Sequence, residues 1–388
     1  MRPNMTTIDS SLLDRARVAA REIAPRADAI EEARRLPPDV VAALVEAGVF
    51  ALAVPRSLGG HEATAATLLA VIEEIARADG AAGWCAMIGA SSALMSAYLD
   101  ETVAREVYGE PGAITCGVFA PMGRAIAAPG GFRVSGRWPF ASGCEHSGWR
   151  MGGAIVEGAS PLPSGAPDVR SMLFRADETR ILDTWRTSGL RGTGSHDLEV
   201  ADVFVPTARS FSFFSDAPRE QGALYRLPFF GVLAAAVAAV TLGIGRHALE
   251  SVIELAQKKH PLGAKRSLAH RELVQLRVAQ AEAKLSGARA LLFETLGAVE
   301  HAAEAGDPAS LAARARLRLA AAHAASESAA AVDLAYHAGG ATSIYEKSPL
   351  QRCFRDVHVA TQHAMVGDAS ATLAGRVLLG LESDTSTL

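Results

Sequence analysis

From Ile8 to about Gly109, apolar residues recur at helical intervals. Leu68, Ile72, Ile75 and Ala76 are spaced by three and four, while Glu73, Glu74, Arg77 and Asp79 take other faces, which predicts an amphipathic helix ended by Gly80. Pro37 and Pro38 stand ahead of a run that starts at Asp39, and Gly48 follows it, the order of a helix start and stop. Residues 83–98 are apolar nearly throughout and predict deeper burial. Around Gly112 the period changes. Stretches rich in β-branched and aromatic residues (113–119, 132–138, 150–156, 171–175 and 198–205) alternate with glycine-rich turns, which predicts an antiparallel sheet or small barrel, with a surface loop at 158–167. From Leu227 the helical period returns. Leu285, Ala288, Leu292, Leu296 and Val299 form one apolar stripe, and Gly306, Asp307 and Pro308 separate that helix from another that runs to about Ala338. Long helices with small apolar faces pack as an antiparallel bundle. The chain thus divides into helical residues 1–110, a β domain at 111–226 and a helical bundle at 227–388.

Composition narrows the function classes. At 388 residues the chain is long enough for two or three modules, and 49% hydrophobic with 21% charged residues is a globular balance. Thirty-eight Lys and Arg against 42 Asp and Glu leave a net charge of -4, so no global basic field favours nucleic acid or an anionic membrane. Cys85, Cys116, Cys144 and Cys353 form no Cys-x-x-Cys pair, which argues against a zinc site or disulfide framework and for a reducing cytoplasm. Residues 1–11 lack the apolar stretch of a signal peptide. Residues 227–245 carry no charge and approach the length of a membrane span. They are mostly alanine and valine, with Pro228, Gly231, Gly243 and Gly245, and read as a buried bundle helix, with no membrane role.

Three motifs have competing readings. Gly243-Ile244-Gly245-Arg246-His247-Ala248 fits a dinucleotide fingerprint, but that chemistry needs a preceding strand, and here an alanine-rich helical run precedes. Close helix packing is the better account. Ser195-His196-Asp197 has the letters of a hydrolase triad, yet consecutive residues on extended chain face opposite ways and cannot form a relay. No metal-binding cluster occurs among the eleven histidines. The run Trp138-Pro139-Phe140-Ala141-Ser142-Gly143 reads equally as a strand end with its turn or as a flat apolar surface for a ring system, with the Ser142 hydroxyl and nearby backbone amides at its polar edge.

Several stretches carry a family resemblance: residues 54–60, residues 131–136 leading into 138–143, residues 189–197 with 203–206, and the pair Arg355-Asp356. Together they resemble the acyl-CoA dehydrogenase superfamily, and Trp138 to Gly143 with Arg191 to Asp197 are most similar to its two-component flavin-dependent monooxygenases. The resemblance implies an α+β fold with an N-terminal helical domain, a central antiparallel β domain and a C-terminal four-helix bundle. The dehydrogenases place a catalytic glutamate shortly after an Arg-Asp pair. Here that stretch reads Thr361-Gln362-His363-Ala364-Met365, and no Asp or Glu lies between Glu220 and Glu250, where other dehydrogenases carry the base. Without a base in reach of the α-carbon, α,β-dehydrogenation loses its first step.

The resemblance further implies reduced flavin, FMN or FAD, and dioxygen as cofactors, with His363 facing the flavin. It assigns His363 and Ser142 to catalysis. His363 would assist protonation of a flavin C4a-hydroperoxide or deprotonation of a phenolic substrate; as a lone histidine in an apolar stretch it also reads as a core residue. Ser142 and adjacent backbone would contact the N5 side of the ring, within a flavin cradle of Phe119, Trp138, Phe140, Ala141, Ser142 and Gly143. Trp84, Phe119, Trp138 and Phe140 are candidate walls that exclude water, and each reads equally as core. The substrate pocket would comprise Trp84, Phe119, Phe211, Phe214 and His363; Phe211, Phe213 and Phe214 read as a substrate lid or as a hydrophobic anchor. Arg191, Lys258, Lys259, Gly339 and Gly340 fall where the family holds the phosphate or adenylate end of the flavin, partly across subunits, and they read equally as solvated surface. Since no nicotinamide site is evident, a separate flavin reductase is the implied electron source. The implied reaction is hydroxylation of an aromatic or polycyclic small molecule by a homotetramer. A dehydrogenase or N-oxidising flavoenzyme on the same scaffold is the alternative, and a catalytically silent assembly protein is a third reading.

Overall fold

The computed structural model describes residues 7–161, 165 and 167–388. Part of the loop expected at 158–167, and residues 1–6 of the leader reading, lie outside the described residues. Six helices come first: α1 (Ser10–Ile23), α2 (Ala27–Ala33), α3 (Pro38–Glu46), α4 (Ala65–Ala78), α5 (Gly80–Ser92) and α6 (Glu101–Tyr108). Pro37 and Pro38 open α3, and Gly48 sits just beyond its end at a φ of 76° that a side chain would resist. One boundary differs in cause from the sequence reading. Asp79, not Gly80, ends α4: its extended backbone breaks the helix, and its carboxylate accepts from the Ala82 N–H at 2.8 Å as the N-cap of α5, so Gly80 starts a helix instead of ending one.

The β domain contains β1 (Thr115–Ala128), β2 (Gly131–Ala141), β3 (Trp149–Glu157), β4 (Val169–Arg175), β5 (Arg180–Leu182), β6 (His196–Pro206) and β7 (Ser210–Phe211). They form one sheet in the order β5-β6-β2-β1-β3-β4-β7. The expected all-antiparallel sheet is corrected to a mixed one, because β1 and β3 run parallel, with Cys116 opposite Arg150 and Ala125 opposite Val156. The other strand pairs are antiparallel. The reason is topological. After the β1–β2 hairpin the chain crosses through residues 142–148 to the free side of β1, and it arrives pointing the same way.

The C-terminal part holds α7 (Phe229–Lys258), α8 (Glu272–Glu304), α9 (Leu311–Gly339), α10 (Pro349–Ala360) and α11 (Asp368–Leu378). Three long helices make the bundle, α10 packs on α7 and α9 as its short fourth member, and α11 lies on α9. The five stripe residues of α8 are all buried. α7 is long and apolar enough to cross a membrane, but its apolar window is mostly buried by protein, as a core helix would be. A Cβ at Gly243 would stand 2.4 Å from the Glu73 carbonyl of α4, so this glycine permits close approach of two helices, and α7 runs unbroken through the would-be fingerprint. One continuous apolar core joins the N-terminal helices to the bundle, and a second lies within the sheet.

Candidate active site

The site lies where the three parts of the chain meet. Trp84 projects from α5, Ser142 from the turn after β2, and Thr193 and Ser195 from the segment entering β6. Trp84 Nε1 donates to Ser142 Oγ at 3.0 Å. Ser142 Oγ lies 2.6 Å from Ser195 Oγ, which lies 2.6 Å from Thr193 Oγ1, and Thr193 Oγ1 donates to the Leu190 carbonyl at 2.8 Å. Each hydroxyl has one proton, so the direction is fixed by counting. Thr193 spends its proton on Leu190 and accepts from Ser195, which then accepts from Ser142. Ser142 therefore receives the Trp84 N–H, gives its proton away, and retains acceptor capacity only. The chain is anchored by α10: the Leu190 N–H donates to Asp356 Oδ1 at 2.6 Å, with Leu190 itself at a φ of 48°.

His363 lies in the turn after α10, half-buried, its ring edge-on to Trp84 with centroids 5.6 Å apart. The Met365 N–H donates to His363 Nδ1 at 3.3 Å, which leaves the proton of the neutral ring on Nε2. Burial first, and the nearby Arg318 charge second, hold its pKa down to about 4. The imidazole is thus neutral across the physiological range and offers an N–H, which differs from the near-neutral titration that an unperturbed histidine suggests. Among the described residues, no Asp or Glu forms a hydrogen bond or ion pair with Trp84, Ser142 or His363.

A cluster of aromatic rings joins β1 and the segment after β7 to the start of α7. Phe213 stacks on Phe229 with centroids 3.9 Å apart, and Phe119 meets both edge-on at 5.4 and 4.9 Å. Phe211 is fully buried against Tyr98 and Phe213, which favours the anchor reading for it, while the more exposed Phe214 leans on Phe230.

Two sequence readings of the 138–143 run are corrected. Trp138 is not a wall of the flavin cradle: it fills the interior of the sheet, donates to the Gly153 carbonyl at 2.8 Å, and is gripped so closely that a Cβ at Gly123, Gly136 or Gly152 would lie 2.4–2.7 Å from its ring. The backbone amides are also occupied, Ser142 N–H by the Phe140 carbonyl and Gly143 N–H by the Thr193 carbonyl. Ala141 pairs with His196 in the sheet and is buried. Phe140 is 67% exposed at a φ of 65° and meets Trp185 edge-on.

The phosphate candidates separate. Lys259 Nζ donates to the Gly339 carbonyl at 2.9 Å, and Arg277 to that of His337 at 3.0 Å, so both cations serve the C-terminus of α9. Gly340 is exposed at a φ of 61° and Lys258 pairs with Glu254. Arg191 is half-buried on the short Arg191–Thr193 turn. Ser195, His196 and Asp197 take three separate sets of partners: Ser195 joins the hydroxyl chain, His196 Nδ1 accepts from the Trp185 N–H, and Asp197 binds Arg137 and Thr184. Sequence reasoning missed Thr193, Ser195, Arg318, Met365 and Phe229 as members of this neighbourhood. The Ser195 letter was visible, but its partner lies 53 residues away.

The family model described as Acyl-CoA dehydrogenase, N-terminal domain, matches residues 12–106, and that described as Acyl-CoA dehydrogenase, C-terminal domain, matches residues 235–368. An indole-3-acetate monooxygenase of Pseudomonas putida is 37% identical over 350 residues, covering 89% of this chain and 88% of that protein. The oxygenase component of an FADH2-dependent resorcinol hydroxylase from a Rhizobium species is 32% identical, covering 91% of this chain and 90% of its own length. The Streptomyces protein XiaF, solved in complex with FADH2 and glycerol, superimposes with a TM-score of 0.89 at 28% identity, covering 96% of both chains. With the same three-part architecture and, among the described residues, no carboxylate bonded to His363, the chain belongs to the acyl-CoA dehydrogenase superfamily, in its branch of two-component flavin-dependent monooxygenases.

Proposed function

We propose that this chain is the oxygenase component of a system that hydroxylates a small aromatic molecule with reduced flavin and dioxygen. One observation carries the reading: Trp84, Ser142 and His363 converge on one place with no acidic partner among the described residues, so the site holds hydrogen-bonding groups where a dehydrogenase needs a carboxylate base. The residues fit a reduced flavin. Ser142 can only accept a further hydrogen bond, which suits the N–H groups of a reduced ring, and Trp84 presents an aromatic surface beside it. When bound, reduced flavin supplies the electrons by which one atom of dioxygen enters the substrate and the other leaves as water.

The remaining chemistry falls to the chain. His363 offers its Nε2 proton as a hydrogen-bond donor to developing negative charge on oxygen. The Phe119, Phe213 and Phe229 cluster would exclude water if the substrate binds against it. The relatives named for indole-3-acetate and resorcinol support a mono- or bicyclic aromatic substrate. Electrons would arrive on diffusible flavin from a separate reductase, as expected of an oxygenase component whose Gly243 motif lies inside a helix. Exposed Leu273 and Leu276 on α8 support assembly through the bundle, for which we propose a homotetramer. Four unpaired cysteines support a cytoplasmic location.

The test mixes the protein anaerobically with photoreduced FMN or FAD, then adds 18O-labelled dioxygen and a panel of indoles and phenols without reductase or nicotinamide. One labelled oxygen in the product is expected. Absence of label across the panel, with reduction of bound oxidised flavin by an acyl thioester, would establish the dehydrogenase instead. Absence of any flavin affinity would favour the assembly protein.

A further inference from the structure

Among the described residues, Arg318 is a cation buried without a counter-ion. It lies on α9, 3% exposed, and all its hydrogen bonds go to neutral acceptors: Nη1 to the Phe230 carbonyl at 3.0 Å and to Met365 Sδ at 3.0 Å, and Nη2 to Ser370 Oγ at 2.8 Å. Nε has no partner. Among the described residues, no carboxylate lies within ion-pair distance, and burial alone pulls its pKa down to about 10, so it remains charged at neutral pH. A charge held this way costs stability, and an apolar side chain of similar length would be the better filling for the bundle. Packing therefore does not account for it.

Its bonds lead to one place. Met365, which receives the guanidinium on sulfur, donates its backbone N–H to His363 Nδ1. Ser370, bonded to Nη2, donates to the carbonyls of Ala364 and Met365 at 3.2 and 3.1 Å. The Phe230 carbonyl ties the same guanidinium to the start of α7, beside the Phe213–Phe229 stack. We propose that Arg318 is a positioning residue for the oxygenation site: it clamps the turn that carries His363, and its uncompensated positive charge stabilises negative charge that develops on oxygen or substrate in the pocket. The field of a buried charge is little screened, so it acts beyond its own contacts. Among the described residues, Arg318 is the only charged group whose field shifts His363, and a cation there favours the neutral ring. The proposal rests on the oxygenase reading for its consequence, though not for its geometry.

The experiment compares Arg318→Met, Arg318→Gln and Arg318→Lys by NMR titration of the 15N-labelled His363 imidazole in flavin-free protein, and by product formed per reduced flavin oxidised. In the wild type His363 should titrate well below the ordinary value near 6.5. Arg318→Met and Arg318→Gln should raise that pKa by about 1 or more and lower the product ratio several-fold, and Arg318→Lys should keep the pKa low. An unmoved His363 in both neutral variants, or a Lys variant equal to them, overturns the proposal. If neither neutral variant folds, the wild type decides, because a His363 titrating near 6.5 overturns it as well. Failure of the oxygenase reading would appear as no product from the wild type while the imidazole titrations still differ.

Discussion

Asp356 on α10 accepts the backbone N–H of Leu190 at 2.6 Å across 166 residues, and Leu190 is held there at a φ of 48°. That bond pins the loop whose next residues supply Thr193 and Ser195 to Ser142. Replacing Asp356 with alanine leaves a buried N–H without an acceptor, at a cost of about 1–3 kcal/mol, and releases a strained residue. The expected result is lower stability in urea unfolding together with weaker binding of reduced flavin. A loss of stability with flavin affinity unchanged would show that the latch does not reach the site.

Asp356 also predicts a pH dependence. Burial pushes its pKa up to about 7, with Asp79 and Glu31 adding to the rise and the Leu190 N–H and Arg355 opposing it. In the unfolded chain it would titrate near 3.9, so between about pH 4 and 7 the folded state binds the extra proton and this group's contribution to stability falls as pH rises, by as much as ~4 kcal/mol. Asp356→Asn keeps an acceptor for Leu190 and removes the titration. Unfolding free energies measured from pH 4.5 to 7.5 should therefore lose this downward slope in the variant, and parallel curves would remove Asp356 as its source.

Ser142→Ala removes the acceptor of a buried indole N–H and the donor to Ser195. About 1–3 kcal/mol of stability should be lost. The larger effect should fall on cofactor choice, because the missing oxygen is an acceptor matched to reduced flavin. Titrations of both flavin forms should show the reduced form weakened more than the oxidised. Equal weakening would mean that Ser142 supports the fold without contacting the ring's N–H groups.

His363→Ala should lower product per flavin oxidised several-fold and raise released hydrogen peroxide, with reduced flavin still bound. Since burial and Arg318 hold His363 near a pKa of 4, its N–H is present throughout pH 5.5–8 and the wild-type product ratio should show no step there from this residue. A step near 6.5 that vanishes in the variant would contradict the neutral ring.

The long elements were legible because burial selects apolar, β-branched and aromatic residues for them: the α8 stripe is buried, and the five stretches read as strands fall on β1, β2, β3, β4 and β6, with β1 running on to Ala128 beyond the 113–119 read for it. β5 and β7, of three and two residues, are too short to carry a period. The parallel β1–β3 pair was hidden because strand direction is set by the crossover and leaves no mark on alternation. His363 came through the family resemblance, while Arg318 did not, since an arginine among alanines on a helix reads as solvated. The hydroxyl chain was illegible for a different reason: serines 53 residues apart become partners only through the tertiary fold.

In the Trp138–Phe140 pair one backbone angle sends two rings of the same strand to opposite sides. Two residues apart on a strand, the rings should share a face. Phe140 instead takes a φ of 65°, and the β2–β6 register shifts between Trp138 and Ala141, so Trp138 turns into the sheet while Phe140 turns out to solvent. Glycines then become the shape of the core: a Cβ at Gly152 would meet Trp138 at 2.5 Å, and neither the strand nor a ring bonded to the Gly153 carbonyl can yield freely. Gly152→Ala should cost about 1–3 kcal/mol by overpacking. Trp138→Phe, which removes ring volume, should relieve part of that cost in the double variant. If Trp138 were instead a wall of the cofactor cradle, Trp138→Phe alone would weaken flavin binding at little cost in stability, and calorimetry beside a flavin titration distinguishes the two outcomes.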